Sequence, residues 1–450
     1  MRKVLIFVLL LHCLFIKAWD FKVDDICYTI LSDDDLTVSI TGYDNDNYIK
    51  DLKIPEVVSK FGITYSVISI SDVFLSSYSR VKNLYIPKSI TELKAKYFLS
   101  EYISNIFVDD KNPVYKSIDG VLVDRKGCLI YFPAARTGHQ YIPDGVKVIG
   151  ESSFSSCNLS SLTMPNTVKV IKKHAFYLCD NFDEIHFSEN LDSIYEHAFD
   201  NCHFMEIILP NSLKFLGRDA FSVCEQLRKI HIPKNVFMDD SLGVFSSCWG
   251  LKDITIDEDN QYYSVIDNVL YNKEQSILLR FPPKSDITEF SIPSSVVSIG
   301  RCAFHTAKNL QKIIIPSSVE IIKAAAFYYC TGLKEVFCYA VNPPITPKEE
   351  LSSEDPWDFS SRERATLYVP KGRVEAYRNV TVPDYQFGVR TIYPWGSFMH
   401  IEEIESTGIN SHLRPKVSSN SYFSLNGVLV GNKSQKKGII IKDGKKYISK

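Results

Sequence analysis

Hydrophobic and polar positions keep one rhythm from Val146 to Asn235, where a single pattern is written four times. VKVIGESSFSSCNLSSLTMPNT is followed by VKVIKKHAFYLCDNFDEIHFSEN, LDSIYEHAFDNCHFMEIILPNS and LKFLGRDAFSVCEQLRKIHIPKN. The shared frame is V/L-x-x-I/L, then A/S-F, then Cys three residues on, then L/F-x-x-I-x-I/M/L/F, usually closed by Pro. Phe154, Phe176, Phe199 and Phe221 mark a period of 22 or 23 residues. Between Leu227 and Pro233, Ile230 and Ile232 stand two apart and share a face, while Lys229 and His231 point the other way. That alternation predicts a short strand with one side in the core. Pro233 has no N–H to donate and a fixed φ, which suits the strand's end. Met164-Pro165, Leu209-Pro210 and Ile315-Pro316 read the same way.

A period this short predicts one turn of a coil, not a domain. Each repeat offers about six or seven apolar side chains, worth roughly 10–20 kcal/mol when buried. Ordering its backbone costs roughly 22–45 kcal/mol. A lone repeat therefore cannot hold itself together, and the repeats must stack, with special ends that hide the first and last core faces.

The chain divides accordingly. Residues 1–18 combine Arg2 and Lys3 with an apolar run from Val4 to Ile16 and a small residue, Ala18, at the expected cut, the pattern of a secretory signal peptide. Residues 19–67 read as an N-terminal β cap, with strands at Ile26–Ile30 and Thr37–Ile40 around Asp33-Asp34-Asp35. That acidic turn and Asp44-Asn45-Asp46-Asn47 lack the Gly and distal Glu of an EF-hand loop and read as solvated turns. Repeats run over 68–400, with Phe74 and Phe98 as weak early markers. Two inserts, at about 108–143 and 256–293, carry matching text: Asn112-Pro113-Val114-Tyr115, Asp119-Gly120 and Leu129-Ile130-Tyr131-Phe132-Pro133 against Asn260-Gln261-Tyr262-Tyr263, Asp267-Asn268 and Leu278-Leu279-Arg280-Phe281-Pro282. Each is expected to add a hairpin through its tight-turn dipeptide. Residues 341–400 read as a C-terminal cap, 401–420 as a linker, and 421–450 as a small β tail whose final stretch is rich in Lys.

Composition changes this picture little. A formal net charge of −2 leaves no basic footprint for nucleic acid, and no stretch after the leader is long and apolar enough for a membrane span. Cysteine is informative. Cys157, Cys179, Cys202, Cys224, Cys248 and Cys330 each follow a repeat Phe by three residues, so six of the 11 cysteines share one register. One Cys per repeat at one register predicts a column of buried packing thiols rather than a disulfide framework.

The A-F-x-x-C frame, the I-P-x-S closures, the D-G-V-L insert and the final L-Y-V-P-K-G resemble the BspA-like leucine-rich repeat proteins, exported proteins of the Bacteroidetes type. The resemblance covers roughly residues 20–400, with Ala307 in place of the column Cys after Phe304. It implies a β-rich leucine-rich-repeat solenoid: a right-handed coil with a parallel sheet on one face, short strands or helical turns opposite, and capped ends. It also implies attachment or capture at the cell surface without chemistry. The segment from Tyr422 to Lys450 is similar to C-terminal sorting tails of exported Bacteroidetes proteins.

Outward strand positions form the candidate binding face. One column holds Tyr85, Phe107, Thr163, His186, Ile208, His231, Thr255, Ile314 and Phe337, beside a charged column that includes Glu184, Glu206, Lys229, Lys312 and Glu335. Within the first, Tyr85, Phe107, His186, Ile208, His231, Ile314 and Phe337 are the residues expected to meet a partner. Ser152, His174, His197 and Asp219 form another column, two before each Phe, read as exposed polar positions in preference to a zinc site. No phosphate loop, H-E-x-x-H, G-x-S-x-G or framed carboxylate pair is present. The expectation is a secreted or cell-surface adhesion protein with no catalytic residue, metal or cofactor, whose partner is a host or bacterial surface protein or a matrix component. A glycan-capturing protein and an envelope scaffold are the alternatives.

Overall fold

The computed structural model describes residues 19–43, 49–71, 80–93, 101–238, 245–345, 356–357, 359–380, 382–384, 390–392, 395–404 and the strand segments 423–424, 438–442 and 445–449. The leader, Phe74, Phe98, the turn at 44–47 and the linker from 405 lie outside them. The described chain falls into two compact units: residues up to Phe204 with Pro210–Ser222, and Met205–Leu209 with the chain from Val223 onward. Each unit is a stretch of β-solenoid in which strands of two to six residues alternate between two sheets, apart from caps and inserts.

In the first unit, Phe21–Val23, Ile26–Ser32 and Thr37–Tyr43 pair antiparallel in succession, and Ile63–Ile70 then joins Thr37–Tyr43 in parallel. Ile49–Lys53 already belongs to the coil, pairing in parallel with Val81–Ile86, which pairs with Asn105–Val108. Leu52 is buried at the inward position that Leu84 and Ile106 occupy on the next two strands. The first insert is an antiparallel hairpin, Tyr115–Ile118 with Val121–Asp124, continued by Cys128–Tyr131. Its turn has φ 50° at Asp119 and 73° at Gly120, the two positive values that a twisted two-residue hairpin demands. After the insert, Val148–Ile149, Val170–Ile171, Ser193–Ile194 and Phe215–Leu216 stack in parallel as one sheet. Gly138–Tyr141, Leu159–Thr163 and Glu184–His186 stack as the other.

The second unit repeats the scheme. Glu206–Ile208, Lys229–Ile232 and Asp253–Ile256 form a face sheet. The insert Tyr263–Ile266, Val269–Asn272 and Ile277–Arg280 follows. A second face sheet takes Glu289–Ser291, Lys312–Ile315, Glu335–Cys338, Thr366–Val369 and His400–Glu403 in parallel. The last strand includes residues read from sequence as the start of the linker, because Ile401 pairs beside Leu367 and is buried with it. Helices are short: Phe359–Arg364 and Val374–Asn379 among the described residues. Phe423–Ser424, Gly438–Lys442 and Lys445–Ser449 pair antiparallel.

The core is a ladder of rings. Phe132, Phe154, Phe176, Phe199 and Phe221 stack with centroids 4.5, 4.6, 4.8 and 5.2 Å apart. In the second unit Phe281, Phe304 and Phe327 do the same, and Trp357 closes that ladder 4.2 Å from Phe327. Backbone geometry sets the spacing. The residues two before and two after the Phe take the left-handed conformation, as at His174 (φ 54°) and Leu178 (φ 58°). That turns the N–H groups of His174, Phe176 and Leu178 onto carbonyls of the next coil, Glu196, Ala198 and Asp200. A non-glycine residue so placed costs roughly 1–2 kcal/mol, which the three inter-coil hydrogen bonds offset.

All six column cysteines are buried and none is bridged to another. The thiols of Cys157, Cys179, Cys202 and Cys330 point to carbonyls one coil back. Cys179 Sγ donates to Phe154 O (3.1 Å), Cys202 Sγ to Phe176 O (3.2 Å) and Cys330 Sγ to Phe304 O (3.0 Å). The column is thus a set of small hydrophobes that also satisfy a carbonyl one coil back.

Candidate functional site

Strand alternation places the candidate residues outward, and parallel register sets them side by side. In the first unit Lys53, Tyr85 and Phe107 are register neighbours. The two rings stack at 4.9 Å with 23° between their planes, and Lys53 Nζ lies 5.7 Å from the Tyr85 centroid. The adjoining column is a polar ladder: Asn83 Nδ2 donates to Asp51 Oδ1 (2.8 Å) and Asn105 Nδ2 to Asn83 Oδ1 (3.1 Å). Past the insert, Tyr141, Thr163 and His186 are register neighbours, with Tyr141 69% exposed. His186 Nε2 lies 3.2 Å from Glu184 Oε1.

In the second unit Ile208, His231 and Thr255 are aligned, and Ile208 is 68% exposed. His231 is held at both ring nitrogens, Nδ1 3.0 Å from Thr255 Oγ1 and Nε2 3.1 Å from Asp257 Oδ1. The Thr255 hydroxyl also donates to Ile230 O at 3.3 Å. The group is a cross-strand brace between register neighbours. Past the second insert, Ser291, Ile314, Phe337, Tyr368 and Glu402 run in one column. Phe337 and Tyr368 stack at 4.4 Å and 10°, with Lys312 Nζ 5.0 Å from the Phe337 centroid. Burial raises the pKa of the Tyr368 hydroxyl, and the Glu402 and Glu335 carboxylates push it the same way.

The seven candidate residues therefore occupy four face sheets: Tyr85 with Phe107, His186, Ile208 with His231, and Ile314 with Phe337. In each unit the insert separates one face sheet from the next. Sequence reading missed Lys53, Tyr141, Tyr368 and Glu402. Their signal was present, since Tyr368 stands between the inward Leu367 and Val369, but their strands lack the A-F-x-x-C frame that marked the column.

The polar column two before each Phe brings His174 and His197 together, rings 5.1 Å apart. His197 Nδ1 is 3.1 Å from Asp200 Oδ2. Burial lowers the His174 pKa, and His197 and Lys173 lower it further. Among the described residues no three His, Cys, Asp or Glu side chains gather as a metal site, and no helix is long and apolar enough to cross a membrane.

Stacked coils with inward aliphatic positions, a ring ladder and a parallel face sheet define a leucine-rich-repeat β-solenoid, a repeat scaffold of the protein-interaction kind. The chain belongs to the BspA type leucine rich repeat region family, which matches residues 49–117, 147–276 and 281–342 in six copies. Among solved structures it is similar to a leucine-rich repeat protein from Eubacterium ventriosum ATCC 27560, with 24% identity, 57% of this chain and 76% of that one covered, and a TM-score of 0.47. It is also similar to a leucine rich cell surface protein from Faecalibacterium prausnitzii A2-165, with 20% identity, 86% and 95% covered, and a TM-score of 0.42. A leucine-rich repeat protein from Bacteroides ovatus ATCC 8483 shares 18% identity, with 86% and 100% covered and a TM-score of 0.35. No curated protein matches the chain in sequence.

Proposed function

We propose that this chain is an exported, non-catalytic adhesion protein that binds a protein on a host cell, another bacterium or the matrix through the outward face of its strands. The observation that carries the choice of a protein over a glycan is how the face aromatics are used. Tyr85 and Phe107 turn their planes toward each other, as do Phe337 and Tyr368, and a lysine lies over one ring of each pair. A sugar stacks on an open ring face. Within each pair the inner faces are kept for one another and one outer face for lysine, which leaves a single outer face, that of Phe107 or Tyr368, beside charged columns that suit a polar, hydrogen-bonding protein rim.

The test is binding of the chain to arrays of matrix proteins, bacterial surface proteins and glycans, repeated with His186→Glu, Ile208→Glu and His231→Glu combined. Saturable binding to a protein that disappears in the triple variant, whose circular dichroism shows the fold retained despite the loss of the His231 brace to Asp257, is the expected result. Binding confined to glycans would replace the protein reading with glycan capture. Binding indifferent to the three changes would move the site off the strand face, and none at all would favour an envelope scaffold.

A further inference from the structure

The two aromatic stacks are built alike but end differently. In each, a lysine of the chain caps the ring nearer the N-terminus: Lys53 over Tyr85 at 5.7 Å and Lys312 over Phe337 at 5.0 Å. Lys312 is steadied by Glu335 at 3.9 Å. On the far side of the first stack Phe107 lies on the last strand of its sheet, so among the described residues no strand beyond pairs with it in register. On the far side of the second, the register neighbour of Tyr368 is Glu402, on the last strand of that sheet. Glu402 is exposed, and among the described residues no cation pairs with it. Its neighbour Glu403 is already engaged, accepting from the Gly372 N–H at 2.8 Å.

We infer that Tyr368 and Glu402 form the seat for a cationic side chain, an arginine or lysine, of the partner protein. This rests on the strand-face reading and names the chemistry of one contact within it. A cation is attracted to the negative face of an aromatic ring, and the Phe337 end of this stack already holds one from the chain itself. At the Tyr368 end the ring and the Glu402 carboxylate are register neighbours, while Glu335 lies on the Phe337 strand and is held by Lys312. An incoming guanidinium would satisfy Glu402 with a fork of hydrogen bonds and lie against the ring. Among the described residues no strand pairs beyond the one carrying Glu402, so the approach lies on that side.

The test uses the full chain and a fluorescent peptide of five Gly-Arg repeats, with Gly-Glu and Gly-Gln peptides as controls, followed by anisotropy at low and high salt. The Gly-Arg peptide is expected to bind and to weaken with salt. Glu402→Gln and Tyr368→Leu should each weaken it about fivefold, Tyr368→Phe should keep most of the affinity because the ring remains, and Phe107→Leu should change nothing. Equal affinity for wild type, Glu402→Gln and Tyr368→Leu would overturn the seat, as would tighter binding of the Gly-Glu peptide. A protein partner lost in the His186, Ile208 and His231 triple variant, together with a peptide indifferent to Glu402 and Tyr368, would leave the strand face standing and this contact refuted.

Discussion

Asn260 fastens a whole insert with one amide. It is buried, donates to Pro233 O at 2.9 Å, and accepts from the N–H groups of Tyr262 (2.9 Å) and Tyr263 (2.8 Å). Asn112 does the same in the first unit, donating to Pro87 O and Ile90 O and accepting from Val114 and Tyr115. These are the residues that begin the matching insert text, and the hydrogen bonds explain why the text matches. Replacing Asn260 with Ala strands several buried backbone groups and is expected to lower stability by about 3 kcal/mol. Urea denaturation measures this, and a loss well under about 1 kcal/mol would contradict the role. Alternation along the chain revealed that the column cysteines and ring ladder are buried. It did not reveal that a thiol or an amide would be a donor there, because hydrogen-bond direction depends on which carbonyl the neighbouring coil presents.

At the scale of the element, the inserts are equivalent hairpins whose third strands differ at one core position. Tyr131 fills it in the first unit and Arg280 in the second, both buried. The Arg280 guanidinium donates from Nη1 to Cys302 O, but among the described residues Nε and Nη2 meet no acceptor. Burial lowers its pKa below the usual arginine range. A half-satisfied buried cation is costly, and an apolar or aromatic replacement of similar volume is commonly better tolerated. Arg280→Tyr is therefore expected to stabilise the chain by about 1–4 kcal/mol. A lower melting temperature for the variant would show that the guanidinium has acceptors the structure does not reveal. The hairpins, the strand face and the alternation that turns position 280 inward were all legible in the sequence. Less legible were the left-handed turns beside each Phe. They are occupied by Ser, His, Leu, Asn, Asp, Val, Cys, Thr, Ala and Tyr rather than Gly, so the usual glycine signal is missing and inter-coil hydrogen bonding holds the conformation instead. The candidate site was legible as two outward columns. The break that each insert makes, between Phe107 and Tyr141 in the first unit and between Thr255 and Ser291 in the second, was not, since that depends on where the insert leaves the face.

Across the molecule, acid should be destabilising, and the sign follows from the shifted groups. His174 has a pKa lowered from 6.5 by burial and by His197 and Lys173, with Asp200 and Glu151 opposing. The folded chain therefore holds that proton less well than the unfolded chain. The stability it contributes is present above about pH 6.5 and drains away as pH falls through the lowered folded value. Asp192 and Glu196, lowered chiefly by hydrogen bonds from Lys214 and Lys173, act in the same direction below their unfolded values of 3.8 and 4.5. Melting temperature is expected to fall between pH 7 and 5, and His174→Asn, a residue that accepts left-handed geometry, should flatten that part of the profile. An unchanged slope in the variant would assign the acid sensitivity elsewhere.

The ring ladder carries a last consequence, for the gene rather than the protein. Because Phe154, Phe176 and Phe199 are interchangeable rungs with the same flanking turns, unequal crossing-over between two repeats adds or removes one whole rung and still sets ring upon ring. Such an event changes how many residues each outward column displays while leaving the interior in register. A lineage can thus lengthen or shorten its contact face by recombination, without first having to invent a new core.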